Sequence, residues 1–257
     1  MNFIALTGVE FKKIRRSKIV FILLIAVIIL WVPSVVNADI NFKNQALMGV
    51  TPENNFLIQG LLGMSWFMYP ASMVVCMVLL QQTERGNKGI LKMLSLPVNT
   101  IKLCLSKFFV ALSLAALQIV MVVGVYFICA LAATQIQNYD FVLSPLFVFK
   151  LAAYVYLSSI PMLIFFWMLS VCIQTPIFSV GIGLAAIVPS VIMINTKVWF
   201  VYPMCYPFYV ITSQYGKMSA GGSSMNMDII PWIPIAVVFT VACLVISCLW
   251  YGRAERR

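Results

Sequence analysis

A chain of 257 residues that is 63% hydrophobic and only 9% charged, with a mean hydropathy of +1.02, cannot hide its apolar surface in one water-soluble core. Lipid must be the solvent for most of it. The formal net charge of +10 points to a membrane and not to nucleic acid, because the basic residues cluster beside apolar runs, and the absence of histidine excludes His-based acid/base catalysis, His-ligated metals and Ser-His triads.

Residues 1–17 precede the first apolar run. On a helical wheel Phe3, Ile4, Thr7, Phe11 and Ile14 fall on one side and Lys12, Lys13 and Arg16 opposite, the pattern of an amphipathic helix lying in a membrane interface. Six apolar segments follow, at about 18–36, 57–81, 107–133, 148–173, 176–195 and 230–251. Each approaches the ~20 helical residues that cross a bilayer core. Lipid offers the backbone no hydrogen-bond partners, and the runs lack the alternation of a barrel strand, so the predicted fold is an all-α integral membrane protein with six transmembrane helices in one domain, 1–257. The first run follows basic residues as a signal peptide does, but it continues through Trp31 and Val36 and is expected to be retained.

Orientation follows from counting charge by side. With the N-terminus in the cytosol, Lys12, Lys13, Arg15, Arg16, Lys18, Arg85, Lys88, Lys92, Lys102, Lys107, Arg253, Arg256 and Arg257 lie inside, and only Lys43, Lys150, Lys197 and Lys217 outside. That positive-inside bias predicts cytosolic termini.

Between the first two spans a polar segment, Asn37 to Asn55, is too short for a domain. The turn around Gln174, Thr175 and Pro176 is tight and makes the fourth and fifth spans antiparallel neighbours. Small residues in the fifth span, with Gly181 and Ala185 in small-xxx-small spacing, suggest close helix approach, within the chain or to a neighbouring membrane chain. From Thr196 to Asp228 an external segment opens with the proline-interrupted aromatic run Trp199 to Ile211, which is expected to be re-entrant or interfacial. Cys205 falls there, the other cysteines fall in or beside apolar runs, and no disulfide framework is expected.

The acidic residues are scattered toward the two faces, and none is expected at mid-membrane, which argues against an ion-coupled carrier. A phosphate-binding Gly-x-x-x-x-Gly-Lys-Ser/Thr loop does not occur either, so any ATP is bound by another subunit. Such a motor must press on the cytosolic loop 82–106. There, Gly86 and Gly89 loosen the end of the second span, Ile90, Leu91 and Leu94 form an apolar stripe, Pro97 ends a short helix, and Asn99 or Thr100 caps the next one.

Here the sequence resembles the permeases of the ABC-2 type transporter family. Glu84, Arg85, Gly86, Lys88 and Gly89, followed by Leu94, Leu96 and Pro97, look like the family's loop between the second and third spans. The resemblance implies that the chain is not an enzyme but a permease subunit in a bacterial cytoplasmic membrane, with ATP and Mg held by a partner ATPase in two copies and a second permease, identical or homologous, beside it. Glu84, Arg85, Gly86, Lys88, Gly89, Ile90, Leu91, Leu94, Leu96 and Pro97 would couple to that ATPase. The Leu-Ser-Leu-Pro-Val step and the aromatic Tyr-Pro-Met-Cys-Tyr-Pro-Phe run look like permeases that protect bacteria against lantibiotics, which implies an amphipathic antimicrobial peptide as substrate. A drug, lipid or polysaccharide exporter of the same architecture shares these features, and an ATP-independent scaffold or carrier is the rival class. Trp66, Phe67, Tyr69, Phe165, Phe166 and Trp167 are the candidate substrate path, with interhelical packing as their plainer role.

Overall fold

The computed structural model describes residues 3–15, 17–85, 99–219 and 229–254. Among these residues the chain is helical throughout, without strands, because apolar runs in lipid must satisfy their own backbone groups. Helix α1 spans Phe3–Arg15 and α2 spans Ile19–Val36, followed by the short α3, Ile40–Met48. Gly49 closes α3 at φ 70°, a left-handed position that costs a glycine little.

The second crossing is a broken rod. It runs as α4 over Pro52–Gly63, widens into a π turn over Met64–Met68, and continues as α5 over Tyr69–Arg85. Then come α6, Thr100–Gln137, and α7, Pro145–Cys172. Asn99 supplies the cap of α6: its side-chain oxygen accepts from the Ile101 N–H at 2.9 Å. The helix therefore starts ahead of the apolar run. After Pro176 come α8, Pro176–Ile187, and the single turn α9, Ser190–Met193. Two 3-10 turns, Trp199–Val201 and Pro203–Cys205, lead into α10, Tyr206–Met218, and the chain ends in α11, Ile229–Ala254.

Six of the described helical stretches are long and apolar enough to cross a membrane: Ile19–Val36, Pro52–Thr83, Thr100–Gln137, Pro145–Cys172, Pro176–Met193 and Trp232–Tyr251. Their outer faces carry exposed Phe21, Ile29, Val32, Val120, Leu157, Val238 and Leu249, a surface suited to acyl chains and not to water. If all six stretches cross, their even number puts α1 and the end of α11 on one face, here called the terminal face, and α3 on the opposite, distal face. Helix α7 packs against α5, α6, α10 and α11, while α6 also holds α1 and α2.

Close approaches fix this packing. A Cβ on Gly60 would fall 2.5 Å from the Trp31 ring, so α2 and α4 meet where one has no side chain and the other has the largest. Trp31 continues into an aromatic core with Phe56 at 5.7 Å and Tyr126 at 5.5 Å between ring centroids. In α8 the buried stripe is Ser179, Gly183 and Ile187, and a Cβ on Gly183 would meet Val74 at 2.6 Å. The small-xxx-small pair read from the sequence lies on the other side: Gly181 has no heavy atom near its Cβ position and Ala185 is exposed.

Candidate functional site

The terminal face carries the elements that the sequence reading expects to couple to a partner ATPase. Helix α5 persists to Arg85 and α6 begins at Thr100, so the connecting loop is shorter than the hydropathy alone suggests. Gly86, Lys88, Gly89, Ile90, Leu91, Leu94, Leu96 and Pro97 lie outside the described residues, as does Arg16. Glu84 and Arg85 belong to the last turn of α5, and their side chains are likewise outside the description.

Helix α1 is clamped onto α6. Its buried stripe is Leu6, Thr7, Glu10 and Ile14, at helical spacing, whereas Phe3, Ile4, Phe11 and Lys12 are exposed and Lys13 is half-buried. The helix thus has two apolar faces, one toward α6 and one toward the surroundings. Phe3 reaches Phe109 of α6 edge-on at 6.3 Å. Glu10, 5% exposed, accepts hydrogen bonds from Lys13 Nζ at 2.7 Å through Oε1 and from Lys107 Nζ at 3.0 Å through Oε2. Lys107 is itself 3% exposed. A carboxylate between two ammonium groups satisfies the pairing that buried charge requires. Nothing local in the sequence signals this: the partners are 97 positions apart.

Polar contacts also cross the interior. Gln118 of α6, fully buried, exchanges hydrogen bonds with Ser72 Oγ of α5 at 2.7 and 2.9 Å. Tyr69 shares a 2.9 Å bond with Ser159 of α7. Both contacts tie the second crossing, just beyond its π turn, to its neighbours. Nearer the end of α5, the buried amide of Gln81 has no hydrogen-bond partner among the described residues on either its nitrogen or its oxygen.

The candidate substrate-path residues do not gather into one channel. Trp66 and Phe67 sit on the π turn with about a third of their surface exposed, whereas Tyr69, Phe166 and Trp167 are core residues and Phe165 is half-buried against Phe239 at 6.1 Å. The space lies elsewhere. A cavity of about 510 Å³ opens between α7, α10 and α11, walled by Tyr154, Ser158, Pro161, Tyr206, Trp232 and Thr240 among others. An aromatic box adjoins it: Trp199 stacks on Tyr209 at 3.6 Å, and Trp232 stands 5.6 Å from Trp199 and 5.5 Å from Tyr206. These rings come from the proline-interrupted run that the sequence already marks. Cys205 in the same segment is buried, and its thiol donates to the Ser190 carbonyl at 3.3 Å.

A smaller, polar cavity of about 270 Å³ lies on the distal face between α2, α3 and α4. Close by, Glu53 accepts a 2.6 Å bond from the Tyr139 hydroxyl, which pushes that phenol up to about 12 because ionising it would place a second negative charge against the carboxylate.

A family model described as ABC-2 family transporter protein matches residues 6–190. No curated protein and no solved structure matches the chain.

Proposed function

Because the chain belongs to the ABC-2 transporter family and is a multi-pass membrane protein, we propose that it is the permease through which a separate ATPase expels an amphipathic substrate, a lantibiotic-like peptide, from a bacterial cytoplasmic membrane. Permeases of this family normally work with an ATPase partner. In the proposed assembly two ATPase copies bind ATP and Mg, and a second permease, identical or homologous, completes the pathway. The termini and the 86–98 segment face the cytosol.

The observation that carries this reading is the match from residue 6 to residue 190, which takes in most of α1, residues 86–98, four of the six candidate crossings and most of the fifth. Two features of the structure support a two-state coupling device. Helix α1 is bonded to the start of α6 through Glu10 and Lys107. The second crossing is interrupted by the π turn at Met64–Met68, a form of helix that occurs at functional sites and is costlier to hold than a continuous α-helix. Closure of the ATPases would push the loop, and α5 would move relative to α4 about that turn. The large apolar cavity between α7, α10 and α11 has room for the apolar face of such a peptide.

Glu84→Gln combined with Leu91→Glu and Leu94→Glu tests the coupling. Loss of ATPase co-purification and of peptide resistance is expected, with the permease still inserted at wild-type abundance. Unchanged association and transport would sink the assignment of the loop.

A further inference from the structure

The small cavity on the distal face has a wall chemistry unlike the rest of this apolar chain. Ser34 and Asn37 at the end of α2, Asn41 and Asn44 of α3, and Gln59 of α4 converge on it beside the ring of Phe56. None of these side chains carries formal charge. The charged groups that flank or belong to α3 and α4 are engaged: Lys43 with Asp39 at 3.4 Å, and Glu53 with Tyr139.

Its hydrogen-bonding capacity is only partly spent. Asn37 Nδ2 donates to the Pro33 carbonyl at 3.1 Å, which leaves its oxygen as an acceptor. Asn41 is 5% exposed, donates to the Ala38 carbonyl at 2.9 Å and accepts from Asn55 Nδ2 at 2.7 Å. Asn55, fully buried behind it, therefore holds the Asn41 carboxamide in place, and one N–H of Asn41 remains. Asn44 and Gln59 bring whole carboxamides, each a donor beside an acceptor.

We propose that this cavity is a binding site for an extended stretch of neutral peptide main chain. The assignment rests on the peptide-export reading and supplies a polar subsite to it. A peptide unit presents the N–H and C=O that a carboxamide pairs with side by side, as Asn and Gln pair bidentately with other planar donor–acceptor edges. The absence of charge on the wall favours the uncharged main chain over ionic side chains or phosphate headgroups, whose recognition calls for Lys or Arg. The Phe56 ring, with Ile40 and Pro33 beside it, takes the small side chains between the amides. A volume of about 270 Å³ is just below the range for drug-sized ligands and holds a few residues of a longer chain.

The test is saturation-transfer NMR on the full chain in nanodiscs, with acetyl-tetraalanine amide as probe. Its fully N-methylated analogue and trehalose serve as comparisons. Wild-type protein is expected to bind the tetraalanine amide and not the other two. Asn44→Ala with Gln59→Ala should weaken binding about tenfold, as loss of two modest hydrogen bonds implies. Both positions are partly exposed, so an unchanged melting temperature verifies the fold of the double variant. Equal binding by the double variant, displacement by trehalose, or no transfer from the tetraalanine amide overturns the proposal. Co-purification of the ATPase is scored on the wild-type preparations: its absence counts against the permease reading alone, while absence of peptide binding by the wild type with the ATPase present counts against this site alone.

Discussion

Glu10 of α1 and Lys107 of α6 meet at 3.0 Å with both side chains withdrawn from the surface. The pair decides how firmly the N-terminal helix is joined to the third crossing. Breaking a buried ion pair by removing one partner typically costs about 3–5 kcal/mol, whereas replacing both by apolar groups is often neutral. Glu10→Leu alone should therefore free α1, seen as faster proteolysis before Ile19 and a lower melting temperature. Glu10→Leu with Lys107→Leu should recover most of the loss. Equal damage in the single and double variants would mean that the pair adds no coupling between the helices.

The Trp31–Gly60 contact gives a second prediction. With the Trp31 ring where a Cβ would have to go, Gly60→Ala must displace the ring from its place against Phe56 and Tyr126. Overpacking of this kind costs about 1–3 kcal/mol. The melting temperature should fall for Gly60→Ala, and Trp31→Leu in the same chain should relieve part of the fall. Gly181→Ala, on the open side of α8, should change it little.

These two contacts show where the sequence is readable and where it is not. The six crossings are visible as apolar runs because lipid sets their length and composition locally, residue by residue. The aromatic segment from Trp199 likewise stands out through Pro203 and Pro207. Which residues meet across helices is set by rotation and register, and these leave no mark on hydropathy. Hence, within the chain, Gly183 and not the Gly181–Ala185 pair makes the close approach. Glu10, one acidic residue among surface charges in the sequence, turns out to be buried with two lysines. The carboxamide cavity on the distal face was hidden because Asn37, Asn44 and Gln59 are separately unremarkable polar residues until α2, α3 and α4 bring them together.

The buried bond between Gln118 and Ser72 supports a third prediction. Ser72→Ala leaves the Gln118 amide without its two contacts to α5 in a region where no water replaces them, a cost of about 1–3 kcal/mol. The pairwise term of interhelical bonds of this kind in membranes averages about 0.6 kcal/mol, less than the cost of leaving a buried amide unpaired. Ser72→Ala with Gln118→Leu should thus be more stable than Ser72→Ala alone. Measured unfolding in mild detergent checks the order, and a double variant worse than either single one contradicts it.

The fourth prediction concerns sidedness. Thirteen of the 17 basic residues fall on the proposed cytosolic side, and anionic lipid together with the membrane potential penalises the reverse arrangement. Lys12 of α1 and Gln45 of α3 are both exposed and stand on opposite faces of the helical body. In a background with the native cysteines replaced by Ala or Ser, Gln45→Cys should react with a membrane-impermeant maleimide on intact cells. Lys12→Cys should react only after the membrane is opened. The opposite pattern would place the loop after α5 in the outside medium, where no ATPase reaches it, and would turn the carboxamide cavity toward the cytosol. The one measurement therefore bears on the coupling face and on the peptide site together, which makes it the first to perform.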